Sequence, residues 1–284
     1  MQKIAVLLTS YNRKRITLDC LQSLSNQQIK VDMDIFLCDD ASSDGTVEEV
    51  QKQFPLVHLS YGTGNLYWNR GMLKAWEHAS KEYMYDAYIW LNDDVKLYAE
   101  AFQEILDCST LMKNKAIICG CFCNKNGDFS YGGRTKNNEK ILPNGNLNPV
   151  HFLNGNCVLV PQVVMDSIGK LDHMYHHHGG DFDYGLRALK KGFKIVSTRK
   201  YIGECEINNI IGNRSRKSGL TLCGRMKYLY SPLGCNPFVC FRSTLRHESF
   251  KKAVFMFFAL HWNNILSDTA FEHKNARKKK KNKL

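Results

Sequence analysis

The feature that most limits how this 284-residue chain can fold is a regular exchange of strand-like and helix-like segments that runs from Lys3 to Ser197. Short apolar runs at Lys3–Thr9, Met33–Cys38, Val57–Ser60, Tyr88–Leu91, Ala116–Cys121 and Phe193–Ser197 have the length and residue types of buried strands. Between them, Arg15–Ser25, Gly45–Phe54, Asn69–Lys81, Ala99–Met112 and Gly180–Lys191 carry helical patterns. Such alternation predicts an α/β fold, a mostly parallel central sheet with helices on both faces. Ligands of open sheets bind beyond the carboxyl ends of the strands. The polar clusters fall there: Thr9-Ser10-Tyr11-Asn12, Asp39-Asp40 and Asn92-Asp93-Asp94. Residues 124–150 turn to Gly, Asn and Lys, which predicts a hairpin or mobile loop. After Cys205 the alternation stops. Leu220–Tyr230, Pro237–His247 and Phe250–Leu266 read as helices, and Arg277–Lys283 is a basic low-complexity run. The expected division is a domain over 1–205, a helical segment over 206–268 and a basic disordered tail over 269–284.

Composition excludes some classes. A hydrophobic share of 44% with 23% charged residues is that of a globular chain. The longest apolar run, Ala253–Leu260, is far shorter than the ~20 residues of a membrane span. Charged residues soon follow Val6–Leu8, so no signal peptide is visible. The eleven cysteines lack metal-site spacing and are expected as reduced, mostly buried thiols, which predicts a cytoplasmic protein. Charge is split: residues 1–186 carry 17 Lys and Arg against 22 Asp and Glu, residues 187–284 carry 22 against 5. The basic segment predicts an anionic surface or partner. Nucleic acid is not expected, because Phe255, Phe257, Phe258 and Trp262 follow helical spacing and no binding motif is present. Phe250, Val254, Phe257, Phe258 and Ile265 gather on one helical face beside Lys251-Lys252. That face predicts either packing on the α/β domain or peripheral attachment to the inner face of an anionic membrane.

Three acidic clusters are candidates for chemistry. Asn92-Asp93-Asp94 closes a strand, so its carboxylates either face water or hold a cation; oxygen ligands suit Mg²⁺ or Mn²⁺. A solvated turn is the plainer alternative. In Asp39-Asp40-Ala-Ser-Ser-Asp44-Gly45-Thr46, Asp44 and Thr46 suit helix capping, while Asp39 ends the strand and could accept from a nucleobase N–H. Gly180-Asp181-Phe182-Asp183 opens a helix whose dipole favours an ionised carboxylate. Asp183 and Arg187 are spaced for an internal ion pair, which leaves Asp181 for acid–base work. The adjacent residues His176, His177 and His178 point in different directions and are not expected to share a metal.

Taken together, Leu7-Leu8-Thr9-Ser10-Tyr11-Asn12-Arg13, Asp39-Asp40-Ala-Ser-Ser-Asp-Gly-Thr, Asn92-Asp93-Asp94 and Gly180-Asp181-Phe182-Asp183 resemble, in order and spacing, the motifs of family 2 glycosyltransferases of the GT-A fold. The resemblance spans about residues 3–200. Gly62-Thr63-Gly64-Asn65 with Asn69-Arg70-Gly71, and Gly179-Gly180 before Asp181, look most like a rhamnosyltransferase-like branch. The resemblance implies an inverting, metal-dependent transfer from a UDP- or dTDP-linked sugar to a glycan or lipid-linked acceptor, as in surface polysaccharide assembly. It implies that Thr9, Tyr11, Asn12, Asp39, Asn65, Asn69 and Asp93 bind the donor and that Asp94 binds Mn²⁺ or Mg²⁺. Asp181 becomes the general base, with Gly155, Asn156 and Gly180 on the acceptor side.

The chain departs from the family pattern at Asn92, where the first metal-motif Asp is expected, and at Gly180, where a Glu is usual. Trp68 stands where many relatives carry Arg, and Ile202-Gly203-Glu204-Cys205-Glu206 contains no His. These departures keep open a non-catalytic sugar-nucleotide-binding protein. A Rossmann oxidoreductase would need Gly-x-Gly-x-x-Gly after the first strand, and a nucleotidyltransferase a glycine-rich basic loop. Neither is present.

Overall fold

Strand β1 (Lys3–Ser10) alternates its side chains between two cores: Ile4, Val6 and Leu8 enter one, Ala5 and Leu7 the other. A strand buried on both faces needs helices on both faces. The computed structural model describes residues 1–207 and 214–281, with side chains described through residue 276. Residues 208–213 of the expected helical segment and 282–284 of the expected tail lie outside the described residues. The chain divides into two compact units, Met1–Ile207 and Asn208–Leu284.

In the first unit, β2 (Asp32–Asp39), β3 (His58–Tyr61), β4 (Ala87–Leu91), β5 (Lys96–Leu97), β6 (Ala116–Cys123), β7 (Phe129–Tyr131), β8 (Cys157–Pro161) and β9 (Lys194–Glu204) join β1. The sheet order is β3-β2-β1-β4-β8-β6-β9-β5, with β7 beside β6. Strands β3, β2, β1 and β4 pair in parallel, β8 enters antiparallel between β4 and β6, and β9 lies parallel to β6. Six strands therefore share one direction. Their carboxyl ends meet the amino end of β8 at a single edge. That reversal brings Asn154-Gly155-Asn156 beside Asn92, since Leu91 pairs with Cys157. The apolar run from Phe152 enters the strand only at Cys157. Strand β9 in turn runs past the expected Ser197 to Glu204, held along β6.

Helices α1 (Lys14–Ser25), α2 (Thr46–Gln53) and α4 (Ala101–Leu111) cover one face. Helices α3 (Tyr67–Glu82), α5 (Gln162–Ile168) and α6 (Gly180–Lys190) cover the other. On that second face Trp76, Trp90 and Tyr184 are mutually packed, with ring centroids 5.1–5.6 Å apart. All eleven cysteines are free thiols, and eight of them are buried.

The second unit holds α7 (Leu222–Tyr230), α8 (Pro237–His247), α9 (Phe250–Ile265) and α10 (Asp268–Lys281). Thr221, Asn236 and Ser249 cap the first three through side-chain oxygens, as their positions before apolar runs favour. Arg216 and Arg225 donate to the last carbonyls of α9, at Asn263 and Asn264, where the helix end attracts cations. Residues 269–281 of the segment expected as a disordered tail instead belong to α10. Asp268 at its start is ion-paired with Arg216, whose guanidinium lies 4.7 Å from the Phe271 ring.

Candidate active site

The carboxyl ends of β1 and β2 pair in register, Ser10 beside Asp39. Asp39 is buried; its Oδ2 accepts the Ser42 N–H at 2.8 Å, and its Oδ1 has no donor among the described residues. Asp40, one residue on, has the opposite balance. It accepts four backbone N–H groups, from Thr63 and Gly64 on Oδ1 and from Leu66 and Tyr67 on Oδ2, at 2.8–3.2 Å. These charge-assisted bonds wind residues 62–67 around one carboxylate. A side chain at Gly62 would place its Cβ 2.2 Å from Asp40 Oδ1, so the loop requires glycine there. Asn12, at φ 51°, accepts from the Ser43 N–H and donates its own N–H to Ser42 Oγ, both at 2.8 Å. It braces the turn after β2. Tyr11 and Asn65 are exposed, and Thr9 lies under α3, where a Cβ on Gly71 would meet its Oγ1 at 2.1 Å.

At the end of β4, Arg13 from the start of α1 bridges both carboxylates, at 2.8 Å to Asp93 and 3.3 Å to Asp94. Burial, reinforced by the Asp94 charge and opposed by Arg13, pushes the Asp93 carboxyl up to about 6. Asp94 is partly exposed, so its carboxylate is the one of the pair that a ligand can reach. Asn92 is committed elsewhere. Its Oδ1 accepts the Trp68 indole N–H at 2.7 Å, and its amide donates to Asn156 Oδ1 at 3.1 Å. Asn156 continues the chain to Cys205 Sγ at 3.3 Å, and that thiol lies 4.0 Å from Asp94 Oδ1. Burial and the Asp94 charge push the Cys205 thiol up to about 12, so it stays protonated at neutral pH.

Asp181, in the first turn of α6, accepts the Phe182 N–H at 2.9 Å on one oxygen and the Gly155 N–H at 3.2 Å on the other. The sequence led us to expect that the helix dipole would dominate. Burial instead raises its pKa above the ordinary aspartate value, against the pull of those N–H groups. Asp183 forms the expected pair with Arg187 at 2.8 Å. The same arginine donates to the Ile168 and Lys170 carbonyls, tying α6 to the loop before it.

The donor-side and acceptor-side expectations divide on this geometry. Thr9, Tyr11, Asp39, Asn65, Asp93, Asp94 and Asp181 all stand on the carboxyl edge or its loops. Asn69 does not face a ligand: it is fully buried, and its amide donates to the Asp172 and Tyr175 carbonyls at 2.9 and 3.0 Å. Gly180 packs over it, since a Cβ there would fall 1.7 Å from Asn69 Oδ1. Gly155 lies against the Trp68 ring, where a Cβ would come within 2.5 Å, and Asn156 is buried in the Asn92 bridge. These four shape the site from behind.

Sequence reasoning missed Arg13 and Asp40. Arg13 follows Asn12 directly and is the nearest cation to the acidic strand end, while Asp40 precedes a loop with glycines at 62 and 64. Both signals are present but weak. Among the described residues no group of three or more His, Cys, Asp and Glu side chains is gathered to hold a metal, the triple histidine included. A divalent ion would therefore have Asp94 as its protein ligand and take its other ligands from a bound diphosphate and water, which suits Mg²⁺ and Mn²⁺. Asn92 is a neutral amide whose oxygen already accepts the Trp68 indole N–H, so it is a weaker metal ligand than a carboxylate.

Residues 5–169 match the family described as glycosyl transferase family 2. No curated protein matches the chain in sequence. The S. aureus TarS 1–349 crystal structure in complex with UDP-GlcNAc is similar at TM-score 0.57 and 13% identity, over 95% of this chain and 74% of that one. The mannosyltransferase PcManGT from Pyrobaculum calidifontis, in complex with GDP-Man and Mn²⁺, gives TM-score 0.54 and 13% identity, over 90% and 73%. At these identities the likeness is one of fold.

Proposed function

The chain belongs to glycosyl transferase family 2 and is a glycosyltransferase of the GT-A fold; on that premise we propose an inverting transfer from a nucleoside-diphosphate sugar to an acceptor hydroxyl. The observation that carries this reading is Asp181. Its carboxylate is fixed by two backbone N–H groups, and burial raises its proton affinity toward that of a useful base. Asp181 takes the acceptor proton as the oxygen attacks the sugar C1. The bond from C1 to the diphosphate oxygen breaks, and the nucleoside diphosphate departs from the opposite face. The anomeric configuration therefore inverts.

On the donor side, the unpaired Oδ1 of Asp39 suits the imide N–H of uracil or thymine, which supports a UDP- or dTDP-linked donor. Tyr11, Thr9 and Asn65 would complete the base and ribose contacts, while Asp93, buried against Arg13, would act from behind by holding that arginine in place rather than touching the ribose. A Mn²⁺ or Mg²⁺ ion at Asp94 would neutralise charge on the departing diphosphate. Arg13 holds the adjacent carboxylates compensated and in place. Phe182, packed on Phe152 with ring centroids 5.7 Å apart, offers an apolar ridge beside Asp181 for an acceptor sugar. By the family resemblance, the acceptor on that side would be a glycan or lipid-linked acceptor of surface polysaccharide assembly.

A donor screen that reads nucleoside-diphosphate release, with and without Mn²⁺, tests the proposal. Release from one donor class is expected, enhanced by Mn²⁺ and abolished in Asp181→Asn. A wild-type protein that turns over no sugar nucleotide, or an Asp181→Asn variant with native turnover, would refute it.

A further inference from the structure

Helix α9 turns two different faces to its surroundings. Ala253, Leu260 and Asn264 are buried, and Phe257 packs on Phe238 and Phe241 of α8 at 5.5 and 6.2 Å. Its inward packing is therefore supplied. Yet Phe255, Phe258, Trp262 and Ile265 lie outward, each more than half exposed, at 68%, 66%, 57% and 51%. Spacings of three, four and three residues align these side chains in one stripe. Of the face expected from the sequence, Phe250, Phe258 and Ile265 are exposed, whereas Val254 and Phe257 are half-buried.

Contiguous exposed aromatics rimmed by charge mark an interaction surface. The charge around it is predominantly positive. Lys251 and Lys252 are exposed at the start of α9, and residues 208–284 carry sixteen Lys and Arg against three Asp and Glu. Two of those acids are already paired, Glu248 with Lys252 and Asp268 with Arg216. A second copy of this unit would bring the same excess of positive charge and be repelled. A surface of phosphate headgroups over hydrocarbon answers both the charge and the rings. No described helix is long and apolar enough to cross a membrane.

We propose that Phe255, Phe258, Trp262 and Ile265 of α9, with Lys251 and Lys252, form a docking surface for an anionic lipid leaflet. The helix lies in the plane of the interface. The rings enter the boundary between headgroups and acyl chains, and the lysines meet the phosphates. The assignment is independent of the roles given to Asp94 and Asp181, so either can fail without the other.

The test is cosedimentation of the full-length protein with vesicles of phosphatidylcholine alone or mixed with phosphatidylglycerol. Binding to the anionic vesicles at low salt is expected, weakening as salt rises, with little binding to phosphatidylcholine alone. Lys251→Gln with Lys252→Gln should weaken it about fivefold per lysine. Replacing Phe255, Phe258 and Trp262 together by Ser should abolish it while the thermal midpoint stays unchanged. The emission lost in Trp262→Phe should be the part that shifts to the blue on anionic vesicles. The proposal is overturned if the full-length protein ignores anionic vesicles at low salt or if the triple variant sediments like wild type. It is equally overturned by a self-association that the triple variant loses, which would assign the face to a second copy.

Discussion

The two units of this chain use aromatic residues in opposite ways. In the first, Trp76, Trp90, Tyr88 and Tyr184 are fully buried and packed on one another beneath the strand ends that carry Asp93 and Asp94. In the second, Phe255, Phe258 and Trp262 point outward from a helix whose inner face is already occupied. Similar side chains thus serve as foundation in one place and as contact surface in the other. Hydrophobicity alone does not tell them apart. Whether the neighbouring element supplies a matching face does. The same contrast holds for charge: Asp40, Asp93 and Asp183 of the first unit are held by named donors inside it, while cations of the second outnumber every acid available to them.

That contrast can be broken by substitution, and the effects should fall in a definite order. Trp76→Ala should cost about 3–5 kcal/mol in denaturant unfolding, because it leaves a cavity under the site. Asp183→Asn should cost about 3 kcal/mol by stranding Arg187 in a largely buried position, again read by denaturant unfolding. Asp181→Asn should lower turnover by ~10²-fold or more with donor affinity retained by calorimetry. Its pH dependence carries a sign as well. Asp181 must be ionised to act, and burial raises its pKa, so turnover should fall with decreasing pH along a limb lying above the ordinary aspartate range. Loss of that limb only at ordinary aspartate values would show that burial does not govern this carboxyl. Gly155→Ala forces a methyl against the Trp68 ring and should cost about 1–3 kcal/mol, with reduced turnover as Asp181 loses its fixed partner. Phe258→Ser should change stability by no more than about 0.5 kcal/mol. A large loss there would mean that the ring supports the fold after all, and the comparison would collapse.

Much of the first unit was legible in advance because its signals are local. Strand ends rich in Asp and Asn, a Gly-Asp helix start and the spacing of Asp183 and Arg187 each lie within a few residues. What escaped depends on contacts between distant positions. The Asn92 side chain is fixed by Trp68 and Asn156, 24 and 64 residues away in the chain. No periodicity reports that β8 runs antiparallel, and only this reversal puts Gly155 against Asp181. Asn69 was expected to meet the donor because the family resemblance through Asn69-Arg70-Gly71 implied it. Its burial follows from a loop that arrives more than a hundred residues later. In the second unit the difficulty was different. Helix α9 is apolar on nearly every side, so a pattern shows that faces exist without showing which one turns inward. The sense of the Asp181 shift was missed because a helix N-terminus is visible in sequence and the degree of burial is not.

The central claim is that the carboxyl edge carries out a single displacement with Asp181 as base. The most direct measurement is the anomeric configuration of the first-formed product, read from the proton coupling at C1 by NMR and compared with that of the donor. A single displacement requires the opposite configuration in product and donor. A product that keeps the donor's configuration would contradict the account, whatever the effect of changing Asp181.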